Sequence, residues 1–338
     1  MRIALLGLGF MGSTHLKALQ NIPDAELVAV ASDDPVRLSG DLSTVQGNLG
    51  DTGGKYDFSA YRKYADWADV MKDPDVDAVD LCLPTNLHAP AALAALRAGK
   101  HVLIEKPMGL NAEETDSILA EAEKSDRIVM TAQVLRFFPA YVALADVVKT
   151  GMLGNVHTAL FRRRCAAPAW STWLAEPKLS GGGVFDLLIH DVDQCLHLFG
   201  TPESISATGY VDLKTGIDII NAELYYPDIA SVSITGGWHH PKAYPFSMEY
   251  TVVCDGGSLD YSSAGRAATL FGADGVESLL GERQRDAYEA EIAYFVECCV
   301  HDKRPELCPP EESAAAVKLA RLMLDARERK GEKIKCNL

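Results

Sequence analysis

The chain has 338 residues, 48% of them hydrophobic and 23% charged, which is enough apolar sequence for two cores and excludes a disordered or low-complexity protein. Asp and Glu outnumber Lys and Arg by 47 to 32, a formal net charge of −15 that argues against nucleic acid and anionic membrane surfaces as partners. The eight cysteines are scattered, the apolar stretches are too interrupted to span a bilayer, and the first residues lack a signal-peptide core, so a reducing, cytoplasmic setting is expected.

In chain order, Arg2 to Leu6 reads as a strand, Met11 to Asn21 as a helix and Glu26 to Ser32 as a second strand. The glycine-rich stretch 47–54 reads as a surface loop. Then come Val76 to Leu83 (strand), Ala89 to Ala98 (helix), His101 to Glu105 (strand), Ala112 to Lys124 (helix) and Arg127 to Ala132 (strand). Strands alternating with helices of this length imply a parallel, doubly covered sheet, so residues 1–130 are expected to form one domain.

The remainder, 131–338, reads differently. A helix over Ala140 to Lys149 leads into a strand, Val156 to Arg164, and a Trp- and Gly-containing loop precedes a helix near Phe185 to Leu198. Five strands are expected next, over Ser204 to Val211, Ile217 to Tyr226, Ala230 to Trp238, Phe246 to Cys254 and Gly257 to Tyr261. With no helices between them they predict an open, largely antiparallel sheet. Helices over Arg285 to Val300 and Glu311 to Arg329 close the chain.

Gly7-Leu8-Gly9-Phe10-Met11-Gly12 has the G-x-G-x-x-G spacing, between a predicted strand and a predicted helix. Glycine allows the turn at the first position, a close phosphate at the second and helix–strand packing at the third, with pyrophosphate at the helix N-terminus. Asp33 stands about 20 residues on, where an acid holds the ribose hydroxyls and repels a 2′-phosphate. NAD is therefore expected, with NADP left open by Arg37.

Glu105-Lys106-Pro107 follows a strand end, the side on which open α/β sheets bind ligands. In Gly181-Gly182-Gly183-Val184-Phe185-Asp186-Leu187-Leu188-Ile189-His190, Asp186 and His190 are i and i+4 on one helical face, and Asp193 is expected on the same side. Alcohol oxidation needs a group that takes the hydroxyl proton near neutral pH, which suits histidine, with an acid to orient it and a lysine to polarise the oxygen. Taken alone, these groups read better as a surface lysine and a structural Asp–His pair.

These motifs, in this order, resemble the Gfo/Idh/MocA oxidoreductase family, together with Pro84-Thr85-Asn86-Leu87-His88, Arg136-Phe137-Phe138-Pro139-Ala140-Tyr141 and Pro309-Pro310-Glu311-Glu312. The resemblance covers nearly the whole chain. It implies a Rossmann domain, a C-terminal α+β domain with an open sheet, and oxidation or reduction of a sugar, inositol or related cyclic polyol with NAD or NADP. It assigns Lys106, Asp186 and His190 to catalysis and substrate binding, His190 as the base. Asn86 and His88 would line the nicotinamide side, with Pro84, Thr85 and Glu105 beside them. It also implies self-association, as a homodimer or homotetramer, through the exposed face of the sheet. The chain departs from the family in the insertion at 47–54 and in Leu188, where a small residue is common. Two other readings share the fold: a glycosidase that retains NAD and uses transient oxidation, and a non-catalytic NAD-sensing regulator.

Trp170 and Trp173 are candidates for stacking on a sugar face or for packing. His239 and His240 are expected on opposite faces of a strand, with at most one lining a pocket. Cys298, Cys299, His301 and Cys308 lack the spacing of a zinc site, and no metal is expected. Arg162, Arg163 and Arg164 read as largely solvated charges.

Overall fold

The computed structural model describes residues 1–47, 53–279 and 285–338. The chain divides into two compact units, Met1–Val134 with Arg285–Ala314, and Leu135–Gln284 with Ala315–Leu338. The sequence reading places 285–314 with the later residues, with the last helix allowed to pack back on the first domain; in the structure this segment joins the first unit.

The first unit holds six parallel strands: β1 (Arg2–Leu6), β2 (Glu26–Ala31), β3 (Arg62–Tyr64), β4 (Ala78–Leu81), β5 (His101–Glu105) and β6 (Val129–Ala132). Their order is β3-β2-β1-β4-β5-β6. The connecting segments include α1 (Phe10–Leu19), the single turns α2 (Pro35–Leu38) and α3 (Trp67–Val70), α4 (His88–Arg97) and α5 (Ala112–Ser125). Every residue of β4, β5 and β6 is buried, as in a parallel sheet covered on both faces. The strand order reverses at β1, which pairs with β2 on one side and β4 on the other, so a ligand crevice is expected at the carboxyl ends of β1 and β4. The edge strand β3 has too little apolar character to be read from sequence. Of the expected surface loop at 47–54, residues 48–52 lie outside the described residues.

The second unit is a nine-stranded sheet of order β14-β13-β12-β11-β7-β10-β9-β8-β15. Its strands are β7 (Val156–Cys165), β8 (Ser204–Asp212), β9 (Ile217–Tyr225), β10 (Ser231–Trp238), β11 (Ser247–Cys254), β12 (Gly257–Ser262), β13 (Arg266–Gly272), β14 (Gly275–Ser278) and β15 (Ile334–Lys335). Only β7 and β10 pair in parallel; the other strand pairs are antiparallel. The helices are α6 (Pro139–Thr150), the single turn α7 (Pro177–Ser180), α8 (Gly183–Phe199), α9 (Ala287–Val300), which belongs to the first unit and packs on α1, and α10 (Pro310–Glu328), within which the division between units falls. Among the described residues no helix is long and apolar enough to cross a membrane.

Helix α8 packs on β7, β9 and β10. The burial of β7 alternates accordingly: Ala159, Phe161, Arg163 and Cys165 are buried, while Leu160, Arg162 and Arg164 turn to the other face. Two ion pairs fix the helix there. Asp191 accepts from Arg163 Nε at 2.8 Å and Nη2 at 3.1 Å, and Asp193 accepts from Arg136 Nε at 2.9 Å and Nη2 at 2.6 Å. All four residues are buried. Burial pushes the Asp191 carboxyl up in pKa, and the Arg163 guanidinium beside it works the other way. Arg163 is thus not solvated, and Arg162 and Arg164 both pair with Glu249.

Removing one partner strands the other charge out of water. Asp191→Ala is expected to lower the unfolding free energy by about 3–5 kcal/mol, and Asp191→Leu combined with Arg163→Met to recover most of that loss, as measured by urea denaturation.

Candidate active site

Strand β1 delivers the chain to Gly7, whose amide donates to the Ala31 carbonyl at 2.9 Å and whose φ is +97°. A Cβ on Gly7 would lie 2.3 Å from the Cys82 carbonyl oxygen, and one on Gly12 would lie 1.9 Å from the Gly7 oxygen. The protein's own packing therefore requires both glycines. Gly9 is different, because among the described residues a Cβ there meets nothing nearer than Arg37 Nη1 at 4.0 Å. The space it leaves open lies before the first turn of α1, where Gly9 is the N-cap, no side chain caps the helix and no acid stands in the first turn. Open space at an uncapped, positive helix end fits a pyrophosphate. Phe10 also leans on the apolar cluster of Leu5, Leu8, Leu16 and Phe58, and Met11 is half-buried.

Beyond β2, Asp33 is exposed. Its neighbour Asp34 is occupied as the N-cap of α2, accepting from the Val36 amide at 2.9 Å, and it lies 3.3 Å from Arg37 Nε. Of the two acids, Asp34 is the one engaged in the α2 cap.

At the ends of β4 and β5, Pro84 precedes a short 3₁₀ turn, Thr85–Leu87, in which Thr85 is buried and Asn86 half-buried. His88 Nδ1 lies 2.7 Å from the Pro107 carbonyl oxygen and Nε2 2.8 Å from that of Leu83. Burial holds the ring's pKa below the usual 6.5. Glu105 is buried as well, and its Oε2 accepts from the Lys106 amide at 2.9 Å. Both residues, cofactor-binding in the sequence reading, are buried in the structure, His88 against two backbone carbonyls and Glu105 against the Lys106 amide. The Lys106–Pro107 peptide is cis, and Lys106 is half-buried.

In the second unit the glycine run sets the start of α8. A Cβ on Gly183 would fall 2.5 Å from the buried Trp238 ring, and Gly182 has φ +95°. The Val184 amide donates to Asp218 Oδ2 at 2.9 Å, and Arg327 holds the other oxygen of that carboxylate at 2.5 Å. Four residues apart, Asp186 and His190 sit about 40° apart around the helix. Within residues 183–196 they alone are not buried. Asp193 shares their angular sector, as expected, but it lies about 10 Å along the axis from Asp186, where Arg136 covers it.

Trp170 and Trp173 are half-buried in the loop before α8. The two histidines after β10 do not face opposite ways, because that strand ends at Trp238 and its alternation ends with it. Their ring centroids are 4.0 Å apart, His240 stacks on Tyr244 at 3.7 Å, and the Arg164 guanidinium lies 5.6 Å over Tyr244. Burial, with Arg164 adding to it, holds both imidazoles below the usual 6.5. Sequence reasoning missed Asp191, Asp218 and His15, and it named Arg136 only within a family motif, without its partner; the partners of all four are distant in the chain.

Residues 1–133 match the model of an oxidoreductase family with an NAD-binding Rossmann fold, and residues 141–260 match the Gfo/Idh/MocA C-terminal domain. The chain is 32% identical over 212 residues to a myo-inositol 2-dehydrogenase of Thermotoga maritima, covering 62% of this chain and 59% of that protein. It is 31% identical over 235 residues to the mouse trans-1,2-dihydrobenzene-1,2-diol dehydrogenase, covering 67% of this chain and 65% of that one. Both matches thus span less than two thirds of the relative. A solved structure of a probable dehydrogenase from Thermotoga maritima superposes with a TM-score of 0.81 at 26% identity, over 99% of this chain and 98% of that one.

The three glycines separate by experiment. Gly9→Ala is expected to change stability by no more than about 1 kcal/mol while weakening NAD binding at least about tenfold, or ~1.4 kcal/mol. Gly12→Ala is expected to lower the melting temperature itself. Thermal unfolding with and without NAD checks both.

Proposed function

The chain belongs to the Gfo/Idh/MocA oxidoreductase family, its first unit an NAD-binding Rossmann fold, and from that premise we propose that it is an NAD-dependent dehydrogenase acting on a secondary alcohol, or the matching ketone, of a sugar, inositol or related cyclic polyol. The two relatives' names describe ring alcohols with a neighbouring hydroxyl, which supports that substrate class. The nicotinamide, when bound, supplies the hydride acceptor. Lys106 donates to the reacting oxygen and favours its negative charge. His190 takes the hydroxyl proton, and Asp186, one turn earlier, orients the ring or holds an adjacent hydroxyl. The glycine loop holds the pyrophosphate, and Asp33 favours NAD over NADP by repelling a 2′-phosphate.

The observation that carries this reading lies on α8. A helix that buries Asp191 and Asp193 against arginines leaves one acid and one imidazole accessible, a turn apart. An acid and an imidazole a turn apart, neither of them fully buried, suit proton transfer. We place the protein in a reducing compartment, since all eight cysteines are thiols. We also propose a homodimer or homotetramer formed on the uncovered sheet face, where Leu160, Val253 and Phe271 are exposed on paired strands β7, β11, β12 and β13.

With a panel of inositols and sugars, NAD reduction is expected at one ring hydroxyl, and NADP is expected to be the poorer cofactor. Lys106→Ala and His190→Ala should each lower kcat/KM at least about 10²-fold. Unchanged turnover in both, or glycoside cleavage without net NAD reduction, overturns the assignment. Leu160→Glu should shift the sedimentation coefficient toward that of a single chain.

A further inference from the structure

Behind the loop that carries Lys106 lies a buried charged cluster that the proposed reaction does not use. His15, three residues past Gly12 on α1, has no solvent exposure. Its Nδ1 lies 3.0 and 2.9 Å from the two oxygens of Asp80 on β4. On the other side of the ring, Nε2 is 3.1 Å from Glu105 Oε1, an ion-pair distance at an angle too oblique for a good hydrogen bond. The second oxygen of Glu105 accepts from the Lys106 amide. Around this core stand Cys82, whose Sγ is 3.7 Å from Asp80 Oδ1, and from α9 Tyr288, whose ring centroid is 6.3 Å from that of His15; the charge of the fully buried Glu291 acts on Tyr288 in turn.

An ionised carboxylate only accepts hydrogen bonds, and a neutral imidazole has one N–H and one lone pair. A neutral His15 would therefore turn a lone pair toward one of the two carboxylates, leaving the Cys82 thiol to face Asp80 or the Lys106 amide to face Glu105 without help from the ring. An imidazolium hydrogen-bonds Asp80 and sets its positive charge within ion-pair distance of both carboxylates. We propose that His15 is a positioning residue that stays doubly protonated at neutral pH, and that by holding Glu105 between its ring and the Lys106 amide it fixes the direction of Lys106. The role in turnover rests on the dehydrogenase reading above; the protonation state does not. Burial works against charge on the ring, but Asp80 beside it holds the pKa well above the usual 6.5. The link also joins the helix behind the phosphate loop to the loop that carries Lys106, so the two functional segments of the first unit share one brace.

The sign of the pH effect follows. In the unfolded chain His15 releases its proton near pH 6.5, while the folded chain keeps it. This contribution to stability is complete below about pH 6.5 and fades as pH rises toward the folded pKa, by up to about tenfold in the folding constant per pH unit.

Three measurements test the proposal. Nitrogen-15 NMR of the histidine rings in the intact protein should show both His15 nitrogens protonated from pH 6.5 to 8; one unprotonated nitrogen in that range overturns it. Denaturant unfolding over the same range should show a fall in stability that His15→Gln removes; an identical slope in the variant overturns it. Neither readout needs a substrate, so both stand apart from the reaction assignment. In turnover, His15→Gln and Glu105→Gln should each lower kcat about 10²-fold with the NAD dissociation constant moved less than about threefold. The double variant should lose no more than the worse single one. Additive losses, or an unaltered kcat, break the link to Lys106. If His15→Gln does not fold, the NMR measurement on the parent still decides the protonation state.

Discussion

A charge taken out of water costs several kcal/mol unless a partner meets it, and the segments that carry this chain's candidate chemistry are held by that requirement. Glu105 is anchored by His15 and by the Lys106 amide, and Lys106 is the next residue. Asp191 is anchored by Arg163, and His190 is the residue before it. In both places an inward-turned acid is the immediate neighbour of an accessible base. The start of α8 repeats the device, since Asp218 meets the Val184 amide and Arg327. The inner residue fixes the backbone, and the outer one inherits a direction.

The elements legible in the sequence are those whose signal is local. Strand β5 has the predicted limits, and α8 extends the predicted helix by only a residue or two at either end, because a β-branched run and an apolar 3.6-residue period can be read without knowing the partner. The glycine loop was equally visible, since its steric logic is confined to one turn. Strands β13 and β14 were missed: Ala267, Ala268 and Thr269 carry no strong alternation, and β14 is exposed along its whole length, so only pairing with neighbours defines them.

The candidate site divides on the same line. Lys106, Asp186 and His190 can be named as candidates from their placement and from the family resemblance, but nothing in the sequence shows that Asp193, His88 and Glu105 are buried while those three are not. That difference is made by Arg136, by the Leu83 and Pro107 carbonyls and by His15. His15 reads in the sequence as one more helical residue after a glycine motif. Its partners come from β4 and β5, and nothing in the pattern around it announces an acid on either side.

Stability alone does not explain these buried charges. Well-packed apolar residues in place of an ion pair are often at least as stable. Leucine at position 191 or methionine at 163 would fill the space between α8 and β7, but contact between apolar groups has no preferred angle, and the helix could turn by a few degrees at little cost. A bidentate guanidinium–carboxylate pair is planar and directional. A rotation about α8 that parts this pair would also carry His190, the residue before Asp191, round with it. The same argument holds for His15, where a ring between two carboxylates fixes the separation of β4 and β5 ends as well as their charge. What these pairs contribute over an apolar core is therefore orientation, and orientation is what an acid and a base one helical turn apart require.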